Sequence, residues 1–215
     1  MEIVKPDPAD NFIAHAYLAV DFFFCLSGFV IAYAYDGRLA QLGILTFLQR
    51  RLIRLHPLVI IGSLLGLLTF WFDPFSDLVT KYVAKLPWLT LSSCLLVPYA
   101  IVPERYFNIF HLNPPTWSLF WEYVANLAYA LVLVRLRLWQ LAVLLLLAAG
   151  ALCYEAQLSG NIGVGWSGTN ISGGAIRVAY SFLIGLGIYR AGWILRTRLG
   201  FWTLSVLLLA AFVFP

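Results

Sequence analysis

The chain has 215 residues, 62% hydrophobic and only 11% charged, with 14 Lys+Arg against 10 Asp+Glu for a net charge of +4. A soluble domain carries about 25% charged residues, so this chain cannot coat a water-soluble fold, and its apolar content excludes disorder. The basic residues sit in short clusters between apolar runs, the pattern of a topogenic signal rather than a nucleic-acid stripe.

Residues 1–11 hold Glu2, Lys5, Asp7 and Asp10 with two prolines, the opposite of a basic segment followed by an apolar core, so no cleavable signal peptide is expected. Spans of roughly 20 apolar residues are predicted at 17–35, 52–72, 116–134, 138–154, 173–189 and 199–215. A seventh run, 86–102, is short, contains Pro87 and Pro98 and is followed by Pro103; proline removes a backbone donor and kinks a helix. If that run does not cross, one side of the membrane holds Arg38, Arg50, Arg51, Arg54, Arg135, Arg137, Arg190, Arg196 and Arg198. The other side then holds Lys5, Lys81, Lys85, Arg105 and Arg177. Letting it cross weakens this contrast, so the positive-inside rule favours no crossing. The expectation is an all-α, polytopic transmembrane helix bundle of about six spanning helices. Both termini lie outside, and the external segment 75–115 contains a re-entrant or interfacial helix. One domain covers 1–215.

Cys25, Cys94 and Cys153 lie in apolar runs without metal-ligand spacing, and read as small core residues outside any disulfide framework; no metal site is expected. Gly163, Gly165 and Gly168 have the spacing of a dinucleotide fingerprint, but they join two membrane helices instead of following a strand, and read as a loop. The triplet Asn170-Ile171-Ser172 fits a glycosylation acceptor and is too common to carry weight.

An ionisable residue inside a spanning helix costs roughly 2.5–3.5 kcal/mol on insertion scales, so it is expected to be paired or functional. Asp21 and Glu122 stand out. At 3.6 residues per turn, Ser118, Glu122, Asn126 and Tyr129 share one helix face, which must look into the bundle or a wet cavity. Asn126 and Tyr129 read as hydrogen-bonding groups between helices, and Glu122 as part of a site. Arg50, Arg51 and Arg54 form one basic patch at the inner membrane surface, suited either to anionic lipid or to bidentate binding of a phosphorylated cytosolic molecule. His15 and Asp21 are separated by five residues and do not converge on a helix, so His15 reads as interfacial. His56, preceding Pro57, is expected to bond a carbonyl freed by the kink, and His111 lies in the external segment. Both suit a general base by residue type.

Four blocks then become recognisable in order. Val20-Asp21-Phe22-Phe23-Phe24-Cys25-Leu26-Ser27-Gly28-Phe29 resembles the VDxFFxLSGF block of the acyltransferase 3 family, integral membrane enzymes that O-acylate extracytoplasmic carbohydrates. Arg50-Arg51-Leu52-Ile53-Arg54-Leu55-His56-Pro57 resembles its RRxxRxxP segment, and Trp117-Ser118-Leu119-Phe120-Trp121-Glu122 its WSLxxE segment. Gly173 to Gly185 resembles a later GGxxR–FxxG stretch. The likeness runs from about residue 17 to 190.

The resemblance implies transfer of an acyl group, acetyl in the simplest case, from a cytosolic acyl-CoA co-substrate to a hydroxyl of an extracytoplasmic glycan, with no bound cofactor. Arg50, Arg51 and Arg54 would meet the CoA phosphates. Glu122 would be catalytic, and Trp117, Ser118, Asp21 and Arg177 would contact substrate. Short loops and the lack of sorting signals suit a multi-pass protein of a bacterial inner membrane, with the lipid bilayer as its surroundings. Family members carry a further helix before the VDxFF block, with an arginine and the histidine held to be the base. Residues 1–16 do not match it, so the sequence reads as a member truncated at both ends. Two alternatives stay open: an inactive fragment, or a transporter in which Asp21 and Glu122 relay protons or bind a cation. The transporter reading expects inverted repeats and broken helix pairs, and neither is visible.

Overall fold

The computed structural model describes residues 17–194 and 198–213; His15, Lys5 and Arg196, which entered the sequence reading, lie outside them. The described residues form helices joined by turns and loops, with an isolated antiparallel bridge between Asn108 and Ser167. The elements are α1 (Tyr17–Tyr35), the short α2 (Leu39–Leu42), α3 (Ile44–Trp71), α4 (Leu78–Tyr82), α5 (Leu86–Leu95), α6 (Thr116–Leu131), α7 (Leu138–Ser159), α8 (Ile171–Arg190) and α9 (Phe201–Val213).

Four of them, α1, α3, α7 and α8, are long and apolar enough to cross a membrane, so the protein is an integral membrane protein. The expected six spans therefore become four by length among the described residues. α6 has 16 residues and α9 has 13. The shortening of α6 has local causes. Pro114 and Pro115 close its start. At Val132 the backbone leaves helical geometry (φ −127°, ψ −59°) and passes into a 3-10 turn at Leu133–Arg135. α6 nonetheless runs alongside α1 from the level of Asp21 to that of Asp36, because Trp117 meets Arg177 at one end and Tyr129 meets Asp36 at the other.

The segment between α3 and α6 leaves and returns at the same end of the bundle. α5 dips beside α3 and stops at Leu96, which sits in the left-handed region (φ 56°) and turns the chain back. Phe70, Tyr82, Leu86, Leu89, Val102 and Leu112 form a separate buried cluster that holds this re-entrant excursion against the end of α3. At its base, Glu104 is bonded by Lys81 and Tyr82, and the Lys81 bond does most to hold its carboxyl down to about 2.

The main core joins α1, α3, α6, α7 and α8 through residues such as Phe24, Ile31, Phe47, Tyr129, Phe182 and Leu186. The most extensive helix–helix contact is α1 on α8. A Cβ at Gly185 would lie 1.9 Å from Cys25 O, and one at Gly28 would lie 2.2 Å from Phe182 O, so small residues bring two backbones together, as membrane interfaces favour. Gly185→Ala must push the helices apart and is expected to cost about 1–3 kcal/mol, the usual range for overpacking. Gly187→Ala, whose Cβ meets nothing within 4 Å, serves as the control. Thermal unfolding in detergent checks this, and equal melting of the two variants would contradict the packing argument.

The cysteines are free, as expected, but they are not core residues: Cys25 and Cys94 are half-buried and Cys153 is exposed on α7. α7 is apolar all round and buries only Leu141, so most of its surface is left for lipid.

Candidate active site

Three layers of polar side chains cross the bundle. At the Tyr17 end, Arg177 of α8 grips Asp21 of α1 with Nε 2.8 Å from Oδ1 and Nη2 2.8 Å from Oδ2. Arg177 also donates to the carbonyls of Val164 and Tyr17, and its guanidinium lies 5.6 Å from the Trp117 ring and 5.7 Å from the Tyr17 ring. The guanidinium is almost wholly buried, at 2% exposure. Asp21 and Arg177, both expected as substrate contacts, are thus each other's partners and tie α1 to α8. Trp117 caps that pair instead of standing free.

At the arginine-rich end, where Arg38, Arg135, Arg137 and Arg190 gather, Arg190 holds Asp36 in a second two-pronged pair (2.7 and 2.8 Å). It also donates to the carbonyls of Leu133 and Leu136, while the Tyr129 hydroxyl donates to Asp36 Oδ1 at 2.8 Å. Tyr129 is therefore the interhelical link expected of it. Asp36 and Arg190 had not stood out in the sequence as partners.

Between these layers lies the third. Glu122 Oε1 accepts from Ser27 Oγ at 2.6 Å, from Arg51 Nη2 at 2.8 Å and from Asn126 Nδ2 at 3.4 Å. The fully buried Asn126 also donates to Glu122 O at 2.7 Å, joining the neighbouring helical turns of α6. Beside this cluster is a cavity of about 380 Å³ walled by α1, α3 and α6. Its polar lining is Ser27, Arg51, Arg54, Ser118 and Glu122, and the rest is apolar, including Phe23, Phe24, Ile31 and Leu119. On α1 the lining runs from Val20 to Ile31, about 16 Å at the helical rise, so the cavity occupies the depth between the two outer layers.

The basic block is not one surface patch. α3 begins at Ile44, after Gly43 at φ 80°, so Arg51 stands two turns inside the helix. Consecutive helical residues point about 100° apart. Arg51 therefore turns inward to Glu122 and is buried, while Arg50 is exposed elsewhere and does not line the cavity. Arg54, one turn on, lines the cavity and has no carboxylate partner among the described residues.

Ser118 lines the cavity and its hydroxyl donates to Pro115 O at 2.9 Å.

The other histidine expectations change as well. His56 Nδ1 is buried without a hydrogen-bond partner among the described residues, and its ring packs edge-on to Tyr123 instead of bonding a freed carbonyl. His111 is buried in the segment after α5, with Nε2 2.6 Å from Tyr99 O; burial pushes its pKa down, and it takes no part in the cavity. The glycine-rich stretch before α8 is a loop, as its context required. There Asn170 Oδ1 accepts from the amides of Gly165 and Ser167.

A cavity with a carboxylate, two arginines and two hydroxyls in an apolar slot suits transfer chemistry at mid-membrane depth. The family model described as an acyltransferase domain, acyltransferase 3, matches residues 3–215. The chain belongs to this family. This acyltransferase is 34% identical over 156 residues to "Protein 2 in picA locus" of Rhizobium radiobacter, a match covering 66% of the chain and 80% of that protein. No solved structure matches it. Family membership sets the transporter alternative aside.

Proposed function

We propose that this acyltransferase moves an acyl group, acetyl in the simplest case, from acyl-CoA to a hydroxyl of an extracytoplasmic carbohydrate, in a bacterial inner membrane. The observation that carries the reading is the Glu122 cavity: an apolar slot at mid-membrane depth with a carboxylate in its wall and, beside it, an arginine that has no carboxylate partner among the described residues. In this reading the arginine-rich end faces the cytosol. The CoA phosphates are held by Arg54, with Arg50 on the adjoining surface, and the pantetheine arm and thioester extend into the slot. The acceptor hydroxyl approaches from the opposite end, below Trp117 and Ser118. Its oxygen attacks the thioester carbonyl while Glu122 takes its proton. The cationic Arg51, held at Glu122, offsets the charge growing on the carbonyl oxygen. The C–S bond then breaks, and the departing thiolate takes up the proton as free CoA. Asp21 and Arg177 support the acceptor end by fixing Trp117 and the start of α1, a positioning role rather than direct contact.

The test is direct: the protein purified in detergent, supplied with radiolabelled acetyl-CoA and surface glycans, yields O-acyl glycan, and absence of any product overturns the proposal. Arg54→Ala is expected to weaken acyl-CoA binding severalfold at low ionic strength, with the gap narrowing as salt is raised, because an exposed charge contact is screened within about 8 Å at physiological salt. Titration calorimetry at two salt concentrations reads this. Equal binding by variant and parent would return Arg54 to membrane anchoring.

A further inference from the structure

We infer that Ser27 is a positioning residue for Glu122, one that holds the carboxylate so that its open oxygen faces the substrate; the inference rests on the acyltransferase reading above. The three donors that reach the Glu122 side chain, from Ser27, Arg51 and Asn126, all converge on Oε1. Among the described residues Oε2 accepts no hydrogen bond. It is not sealed off either, since Glu122 lines the cavity. One oxygen is thus saturated and the other is open. A carboxylate's last torsion is broad, so without a fixed donor the plane of the group could swing and carry the open oxygen away from the slot.

Ser27 supplies that fixed donor better than its companions do. Its hydroxyl is one bond beyond Cβ on α1, whereas the Arg51 guanidinium reaches Glu122 at the end of a long, flexible chain. Asn126, at 3.4 Å, is the longest of the three bonds and sits on the same helix as the carboxylate. α1 is itself pinned, since the neighbouring Gly28 lets its backbone press on Phe182 of α8. About 100° round the helix from Gly28, Ser27 looks the other way, towards α6. The adjacent serine and glycine therefore do two jobs: the glycine locks α1 to α8, and the serine carries that rigidity across to Glu122. An O–H···O⁻ bond of 2.6 Å is in the short, charge-assisted range.

The experiment compares the purified parent with Ser27→Ala, Ser27→Thr and Ser27→Cys in the acyl-CoA-to-glycan assay. Misplacing a reacting group by about 1 Å costs up to roughly a hundredfold. Ser27→Ala is accordingly expected to lower kcat about ten- to a hundredfold while KM for acyl-CoA stays within about twofold, and Ser27→Thr, which restores the hydroxyl, to regain most of the rate. Ser27→Cys keeps the size with only a weak donor; it is expected to behave like Ala, and it carries the test if the Ala variant does not fold. The inference is overturned if Ala and Cys turn over like the parent, if Thr is as slow as Ala, or if KM rises in step with the fall in kcat. An acyl mass increment on the Ser27 peptide in quenched turnovers would also overturn it, by making Ser27 a nucleophile. A parent that forms no product overturns the acyltransferase reading itself. An active parent with indifferent Ser27 variants removes this inference alone.

Discussion

Arg177→Met is expected to destabilise the bundle by about 3–5 kcal/mol, the range for removing one partner of a buried ion pair. Asp21 would keep its charge in a largely apolar surrounding, with Ser181, at 3.3 Å, the one side-chain donor left to it among the described residues. The carbonyls of Tyr17 and Val164 would lose their donor as well. In detergent the variant is expected to melt well below the parent or to aggregate during purification. The double variant Asp21→Asn/Arg177→Met is expected to recover most of the loss, because no unpaired charge remains and replacing both members of a buried pair is often close to neutral. A single variant that melts with the parent would show that water reaches this layer and screens it. A double variant no better than the single would place the stabilisation in the carbonyl bonds and the Trp117 stack instead of the ion pair.

Glu122→Gln is the second large effect, and it concerns rate. The amide keeps the shape of the side chain and an oxygen for Ser27 and Arg51, but it takes no proton. General-base contributions are typically 10²–10⁴-fold, so kcat is expected to fall by about that much with acyl-CoA binding retained. Some stability is expected to go too, since Arg51, 8% exposed at its side chain, loses its counter-charge. Arg51→Met in the same chain is expected to return stability without returning turnover. That split separates the two roles of Glu122. If Glu122→Gln turns over at the parent's rate, the proton goes elsewhere and the carboxylate only ties α3 to α6. If the double variant recovers activity along with stability, the loss in the single variant came from misfolding.

Much of this was legible in the sequence, and the reasons are specific. The apolar runs at 17–35, 138–154 and 173–189 fall within helices because membrane insertion is governed by local composition, and no distant contact is needed to recognise it. The turn-back between α3 and α6 was legible too, because prolines interrupt the 86–102 run and the arginine count disfavours a crossing. Asp21 and Glu122 could be singled out one at a time, since each is costly in a spanning helix, and Arg177 by its place in the GGxxR motif. Their partners could not be named. Ser27 and Glu122 are 95 positions apart, and Asp21 and Arg177 are 156 apart; no periodicity within one helix connects them. Asp36 gave no signal at all, because a charge just past the end of a helix costs little and needs no partner to justify it. Its role emerges only with Arg190 and Tyr129 beside it.

The arginine block shows the boundary most clearly. Residue types alone determined that Arg50, Arg51 and Arg54 are basic, helical in spacing and near one end of a span. They also determined the membrane class, the order of the motifs and the family. Which arginine turns inward was decided by tertiary structure, through the start of α3 at Ile44 and the packing of α3 on α6, which together bring Arg51 to Glu122 and leave Arg54 at the cavity. The same packing turned two expected substrate contacts, Asp21 and Arg177, into a structural clamp, and drew Ser27, a small polar residue with no cost to flag it, into the site. Burial and charge cost are properties of a segment and can be read along the chain. Pairing and orientation belong to surfaces that meet only after helices far apart in sequence have packed.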